Sequence, residues 1–458
     1  MPKRRVAVRF HNVHDSFMSI IKLLKLWENL RSGFWFIPAF IACGGVALAV
    51  ICPWVDGVLP GFGQWIGRQG YLIDAGGSRT ILSVIASSAI TVAGVVFSIT
   101  MVVLATMSAQ FGPRLLPNFM RQNSTKFVLG GFIGTFVYCM LGLSQLTGDG
   151  EHGDIPKITV LVGLLLGILS FGLLIFFIHQ VARFIQAPCI LQDVAHRLRL
   201  NILRYFPESE DKDSSADVAR DVAPPTFNDQ ATGVSLMIDG YLQVIDLDAL
   251  LEWSVESNAT LHIVKRPGDF VVADEKVVWI RSETSLPEVE METVRDAFIV
   301  GVDRTDTQDV HFAVDQLVEV AVRALSPGVN DPYTAVNCID HLRAALALMS
   351  TRCPAASARR DGDGKVRIRF KTYTFSGILD LAFHPLRQHG KSLESVAIRL
   401  METMVSLADR KLPDSFRDAL GRHARLLRED VQESFAQKLD RKDFERRYRR
   451  FQDLMGEE

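Results

Sequence analysis

ILSVIASSAITVAGVVFSITMVVLATMS, residues 81–108, decides how the chain must be read. No Asp, Glu, Lys or Arg occurs anywhere in it. A bilayer core of roughly 30 Å takes about 20 mostly apolar residues in a helix, because any other open backbone would leave its N–H and C=O groups unpaired in hydrocarbon. Phe34 to Val55, Phe127 to Leu146 and Ile158 to Phe184 meet the same requirement, each free of charge in its central part. The expected fold class is therefore an α-helical membrane protein with four transmembrane helices and a C-terminal cytoplasmic α/β (α+β) domain.

Working outward, the averages over 458 residues, 48% hydrophobic and 22% charged, conceal this division. Beyond Arg197 the chain is as charged as a water-soluble domain. The reading places a cytoplasmic N-terminal tail at 1–33, the transmembrane domain at 34–185, a connecting helix and acidic linker at 186–230, a small α/β unit at 231–282 and a mainly helical cytoplasmic domain at 283–458. A formal charge of −2 provides no bulk basic field, so nucleic acid is not an expected partner. Cys43, Cys52, Cys139, Cys189, Cys338 and Cys353 form no CxxC pair, which argues against a zinc site or a disulfide framework.

Orientation follows from Lys and Arg, which are retained on the cytoplasmic side of a span. Lys22, Lys25 and Arg31 precede the first span, Arg114, Arg121 and Lys126 separate the second from the third, and Arg183, Arg197, Arg199 and Arg204 follow the fourth. The loops 56–80 and 147–157 are acidic on balance, with Asp56, Asp74, Asp149, Glu151 and Asp154. Both termini are expected in the cytoplasm, with Trp35, Trp54 and Trp65 at the interfaces. The loop 111–123, with Arg114 and Arg121 among apolar residues and helix breakers, is expected along the inner membrane surface.

Within the second span Ser83, Ser87, Thr91, Gly94, Ser98 and Ala105 recur at helical spacing, so one face is small and hydroxylated. Two readings are open. Small residues let transmembrane helices approach closely, while hydroxyls along a pore replace part of a solute's hydration shell. Gly130, Gly134 and Gly142 in the third span and Gly163, Gly167 and Ser170 in the fourth predict tight helix packing. With no charge placed mid-span, a carboxylate proton relay or an arginine voltage sensor has no support.

In the C-terminal half, Thr232 to Val244 and Ala259 to Ile280 alternate as strands do, around a helix at Leu247 to Ser257. The turn Arg266-Pro-Gly-Asp269 resembles a hairpin of barrel-sandwich domains, but no Met-Lys-Met tripeptide offers a lysine for biotin or lipoate. From Arg304-Thr-Asp-Thr-Gln-Asp309 an amphipathic helix runs to Leu325 and breaks at Ser326-Pro-Gly-Val-Asn-Asp331, with Asp331 and Pro332 suited to start the next helix. The break is either structural, or an anion or small-ligand site in which Arg304, Ser326, Asn330 and Asp331 join the free N–H groups of a helix start. Asp361-Gly-Asp-Gly364 lacks the spaced ligands of a calcium loop and reads as a hairpin turn. His311, His341, His384 and His389 show no metal-ligand spacing, and no nucleophile elbow occurs. Neither an enzyme nor a cofactor is expected.

Two stretches carry a family resemblance: Phe97-Ser-Ile-Thr through Ser108-Ala-Gln-Phe-Gly-Pro-Arg-Leu-Leu-Pro-Asn-Phe-Met-Arg121, and Arg323-Ala-Leu-Ser-Pro-Gly-Val-Asn-Asp-Pro-Tyr-Thr-Ala335. Gly134-Thr-Phe-Val-Tyr138 and Pro267-Gly-Asp-Phe-Val271 extend it over most of the chain. Together they resemble the predicted bacterial membrane proteins of the domain-of-unknown-function 2254 family. That resemblance implies a four-helix inner-membrane protein and brings no catalytic residues with it. The function expected from the residues is a homo-oligomeric channel or transport protein whose partners are the lipid bilayer, further copies of the chain and a small ion or anionic ligand. The alternative is a membrane-anchored ligand sensor or scaffold without transport.

Overall fold

Where a segment is apolar throughout, a helix pairs every internal backbone group within itself, and four such helices form in the computed structural model: α1 (Phe36–Val58), α2 (Ala75–Phe111), α3 (Asn123–Gln145) and α4 (Lys157–Phe184). The structure describes residue 33 and residues 35–58, 75–112, 123–146, 157–184, 187–208, 231–283, 287–410 and 412–456. Most of the N-terminal tail, nearly all of the loops at 59–74, 113–122 and 147–156, and the linker at 209–230 lie outside the described residues. Met1–Gln186 and Ala187–Glu458 are two separate compact units.

In the first unit α3 packs against α1, α2 and α4. Glycine makes this possible. A Cβ on Gly45 of α1 would lie 2.5 Å from the Gly134 carbonyl oxygen of α3, and one on Gly163 of α4 would lie 2.4 Å from Leu82 Cδ2 of α2. The first contact, against backbone, is closer than any side chain permits, while the second requires Leu82 to shift; close approach of this kind is how helices associate within lipid. Polar ties gather near the loop-side ends. Asp56 accepts the Ile158 backbone N–H at 3.0 Å, which sets a carboxylate against the positive start of α4, and Arg79 donates to the Leu146 carbonyl at 2.5 Å. Tyr138 donates to the Thr159 carbonyl at 2.9 Å. All four helices are long and apolar enough to cross a membrane.

The second unit begins with α5 (Ala187–Tyr205) and continues through β1 (Ala231–Ser235), β2 (Gly240–Ile245), α6 (Leu247–Glu256), β3 (Thr260–Ile263), β4 (Phe270–Val271), β5 (Lys276–Arg281), α7 (Glu288–Asp296) and β6 (Phe298–Gly301). There follow α8 (Val310–Ala324), α9 (Pro332–Met349), β7 (Ala358–Arg360), β8 (Val366–Phe370), α10 (Phe375–Gly390), α11 (Glu394–Ala408), α12 (Asp414–Ser434) and α13 (Lys438–Met455). One sheet has the order β1-β5-β3-β8-β7 and the other β4-β2-β6. Val234, Leu242, Leu261, Val278, Phe298 and Ile368 share a core between them and α6.

This topology corrects two expectations. The boundary drawn at residue 282 does not separate an α/β unit from a helical domain, because β8 pairs in parallel with β3 and β6 pairs with β2. A strand without a neighbour leaves a row of unpaired backbone groups, and here β8 and β6, from beyond residue 282, pair with the sides of β3 and β2 that would otherwise be edges. Nor is Arg266-Pro-Gly-Asp269 a hairpin turn, since β3 and β4 on its two sides belong to different sheets. Asp361 to Lys365, by contrast, closes the antiparallel β7–β8 hairpin with an Asp361 N–H to Lys365 carbonyl bond of 3.0 Å.

Candidate functional site

Along α2 the buried face is made of Leu82, Ala86, Ala89, Ala93, Val96, Val103 and Met107, with Ser78 and Thr100 its buried hydroxyl residues. Ser83, Ser87, Thr91 and Ser98 fall on the other side and are exposed on the outside of the four-helix unit. Among the described residues, the hydroxyl face therefore does not make the helix contacts of the four-helix unit. Thr91 Oγ1 donates to the Ser87 carbonyl at 2.7 Å and Ser87 Oγ to the Val84 carbonyl at 3.1 Å. Such back-bonding satisfies the hydroxyl hydrogen inside the helix and leaves oxygen lone pairs outward.

The residues proposed for an anion site are not brought together. Ser326, Asn330 and Asp331 follow the end of α8, whereas Arg304 lies against its start, and 15 residues of helix rise roughly 22 Å. The break consumes its own polar groups. Ser326 Oγ donates to the Arg323 carbonyl at 2.6 Å, the Asn330 N–H to the Ser326 carbonyl at 2.9 Å and the Asp331 N–H to the Ala324 carbonyl at 2.8 Å. Asn330 takes the left-handed conformation, φ 50°, that Asn tolerates better than most residues. Asp331 caps α9, accepting from the Thr334 N–H at 3.1 Å and from Thr334 Oγ1 at 2.6 Å. A carboxylate thus already occupies the position an anion would take, and Pro332 contributes no N–H.

Arg304 instead sits in a polar hub. Its Nε and Nη2 donate to Asp309 Oδ2 at 2.9 and 2.7 Å, and its Nη1 donates to Asp315 Oδ2 at 2.6 Å. Burial works against the guanidinium charge, but Asp309 and Asp315 outweigh it and raise the Arg304 pKa. Asp309 also caps α8 through the Phe312 N–H. With 2% of its side chain exposed, its desolvation prevails over Arg304 and pushes the carboxyl up to about 6.

Gly268 explains the turn at 266–269. Its φ is +97°, and a Cβ there would lie 2.1 Å from Asp309 Oδ2. The carboxylate rests where a side chain would otherwise stand. Beside it, Arg266 lies over the Tyr373 ring, Tyr373 donates to the Gln308 carbonyl at 2.6 Å, and the His311 ring meets Tyr373 edge-on at 5.1 Å. Burial first, then Arg266, Arg304 and Lys371, press the His311 pKa down to about 3. Burial likewise raises Tyr373.

The strap 304–309 also binds α5. Arg197 Nη1 pairs with Asp306 at 3.1 Å, Asn201 Nδ2 donates to the Asp306 carbonyl at 3.1 Å, and Gln308 exchanges two hydrogen bonds with the backbone of Ile245. Tyr373 carries no signal in the sequence, while Gly268 enters only as a turn residue and His311 only as a histidine without metal-ligand spacing. Gly after Pro in a charged turn was the available signal; nothing local connects it to Asp309.

Fold and hub together define a helical membrane-type protein carrying a mixed helix-and-sheet unit, with a polar strap at the heart of that unit. The chain belongs to the family described as predicted membrane protein (DUF2254), whose pattern matches residues 31–406. It is 30% identical over 426 residues to an uncharacterized protein of Mycobacterium tuberculosis (strain CDC 1551 / Oshkosh), covering 90% of this chain and 79% of that one. An uncharacterized protein of Mycobacterium bovis (strain ATCC BAA-935 / AF2122/97) gives the same identity and coverage. No solved structure matches the chain.

Proposed function

We propose that the protein is a homo-oligomeric channel or transport protein of the bacterial inner membrane, in which α2 faces the path and the Ala187–Glu458 unit assembles or gates it from the cytoplasm. One observation carries this reading: Ser83, Ser87, Thr91 and Ser98 stand on the outer face of the four-helix unit, away from every buried position of α2. In a lone copy that face would meet lipid, whose tails gain nothing from hydroxyl oxygens. In a ring of copies it meets neighbours or water. At 37 residues α2 rises about 55 Å, well beyond the roughly 30 Å hydrocarbon core, so it extends past the membrane or tilts strongly within it. The excess of Lys and Arg on the flanks 22–31, 114–126 and 183–204 supports cytoplasmic termini.

The test combines assembly with conductance. Purified full-length protein in nanodiscs should sediment as an oligomer, and Ser87→Cys should cross-link between copies while Ala93→Cys, on the buried face, should not. Reconstituted in liposomes, it should pass small ions. A monodisperse monomer with no ion flux would end this reading.

A second reading, a membrane-anchored sensor or scaffold, draws on the strap that ties α5 to the sheets. It predicts oligomer-independent behaviour: a ligand or partner held by a monomer, and no flux.

A further inference from the structure

Beyond the strap, a second polar cluster lies between α10 and α12. Asp380 and His384 are one turn apart on α10, so both side chains leave the same face. His423 of α12 completes the group. Its Nε2 is 2.7 Å from Asp380 Oδ1, while His384 Nε2 is 3.6 Å from the same oxygen. One ligand atom from each residue falls within 4.8 Å of the other two. Four-coordinate zinc with bonds of 2.0–2.1 Å places its ligand atoms about 3.3 Å apart, so small side-chain rotations bring this set to that spacing.

Burial sharpens the point. His423 is 0% exposed, and its Nδ1 has no hydrogen-bond partner. Around it stand Phe383, edge-on at 5.8 Å, and His384, with ring centroids 4.6 Å apart. An imidazole enclosed this way costs stability relative to an apolar side chain of similar size, and its Nε2 is the nitrogen that meets Asp380. Arg422 opposes a cation, donating to Asp380 Oδ1 at 2.6 Å, but its side chain is 48% exposed and can turn to water.

We propose that Asp380, His384 and His423 form a binding site for one divalent transition-metal ion, zinc foremost. Two imidazole nitrogens and one carboxylate match the donor preference of zinc and leave a fourth position for water or another ligand. Coordination through His423 Nε2 replaces its hydrogen bond to Asp380 and moves the ring hydrogen from Nε2 to Nδ1. The ion clips α10 to α12, and the site stands whether or not the transmembrane unit conducts.

The experiment uses full-length protein in detergent, freed of its purification tag, stripped with chelator and titrated calorimetrically with zinc chloride. Wild type should take up one equivalent with a rise in its thermal midpoint. Asp380→Ala and His384→Ala, both partly exposed positions, should each weaken that binding at least tenfold and abolish the rise. The helices do not depend on these two residues for contact, because Phe375 stacks on Phe416 at 3.8 Å and Arg387 pairs with Asp430 across the same interface. Circular dichroism of each variant verifies folding before titration. No zinc uptake by wild type, or undiminished uptake by either folded variant, would overturn the site.

Discussion

At the scale of single residues, the hub around Asp309 makes the sharpest demands. Gly268→Ala should cost on the order of 3 kcal/mol, since it combines a strained positive φ with a Cβ driven into Asp309 Oδ2. Thermal unfolding of the full-length variant against wild type measures this; an unchanged midpoint would mean the turn relaxes freely. His311 makes a pH-dependent contribution whose sign follows from its lowered pKa. Unfolded chain binds a proton at about 6.5 while the folded chain resists until about 3, so stability is lost as pH falls below about 6.5. Asp309 acts oppositely. Its pKa is raised from 3.8 to about 6, so its contribution falls as pH rises through that interval and partly masks the histidine. His311→Gln should therefore lose less thermal stability than wild type between pH 7 and pH 5, by up to about 2 kcal/mol. Parallel pH profiles for the two proteins would show that His311 titrates normally.

Among elements, α5 and the strap are the informative pair. Arg197 and Asp306 are both mostly buried, and the neighbouring Asn201 to Asp306 bond fixes their geometry. A double-mutant cycle of Arg197→Ala with Asp306→Ala should give a coupling of about 1 kcal/mol, more than a freely solvated pair contributes. Additive losses would count against the strap as the anchor of α5. The elements also show what a sequence displays and what it hides. The apolar runs of α1 to α4 are legible because hydropathy is a local property, and so is the start of α9, where Asp331 and Pro332 state a cap and a first helical turn within two letters. Pairing of β3 with β8 is not legible, since Leu261 meets Ile368 across more than a hundred residues. The polar clusters mix both cases. Grouping Arg304 with Ser326, Asn330 and Asp331 reaches 22 to 27 residues along the chain, past partners that lie only 5 and 11 residues ahead. His384 showed no metal spacing because the ring it meets, His423, lies on another helix.

For the whole molecule, the proposed oligomer divides into two cases, a hydroxyl face of α2 that lines a path and one that seals copies together, and the hydrogen bond of Thr91 separates them. Thr91 Oγ1 spends its hydrogen on the Ser87 carbonyl, so what it presents outward is an acceptor oxygen and a methyl group. Val keeps nearly the same shape, removes the oxygen and, being exposed, disturbs no buried contact of the four helices. If the face lines an aqueous path, Thr91→Val replaces a solute-contacting oxygen with hydrocarbon, and ion flux through reconstituted liposomes should fall several-fold at unchanged oligomer size. If it packs copy against copy, shape is what matters. Thr91→Val would then leave both quantities unchanged, whereas the bulkier Ser87→Leu would dissociate the oligomer. Flux that survives Thr91→Val together with an oligomer that fails on Ser87→Leu would move the path away from α2 and leave its hydroxyl face as an interface alone.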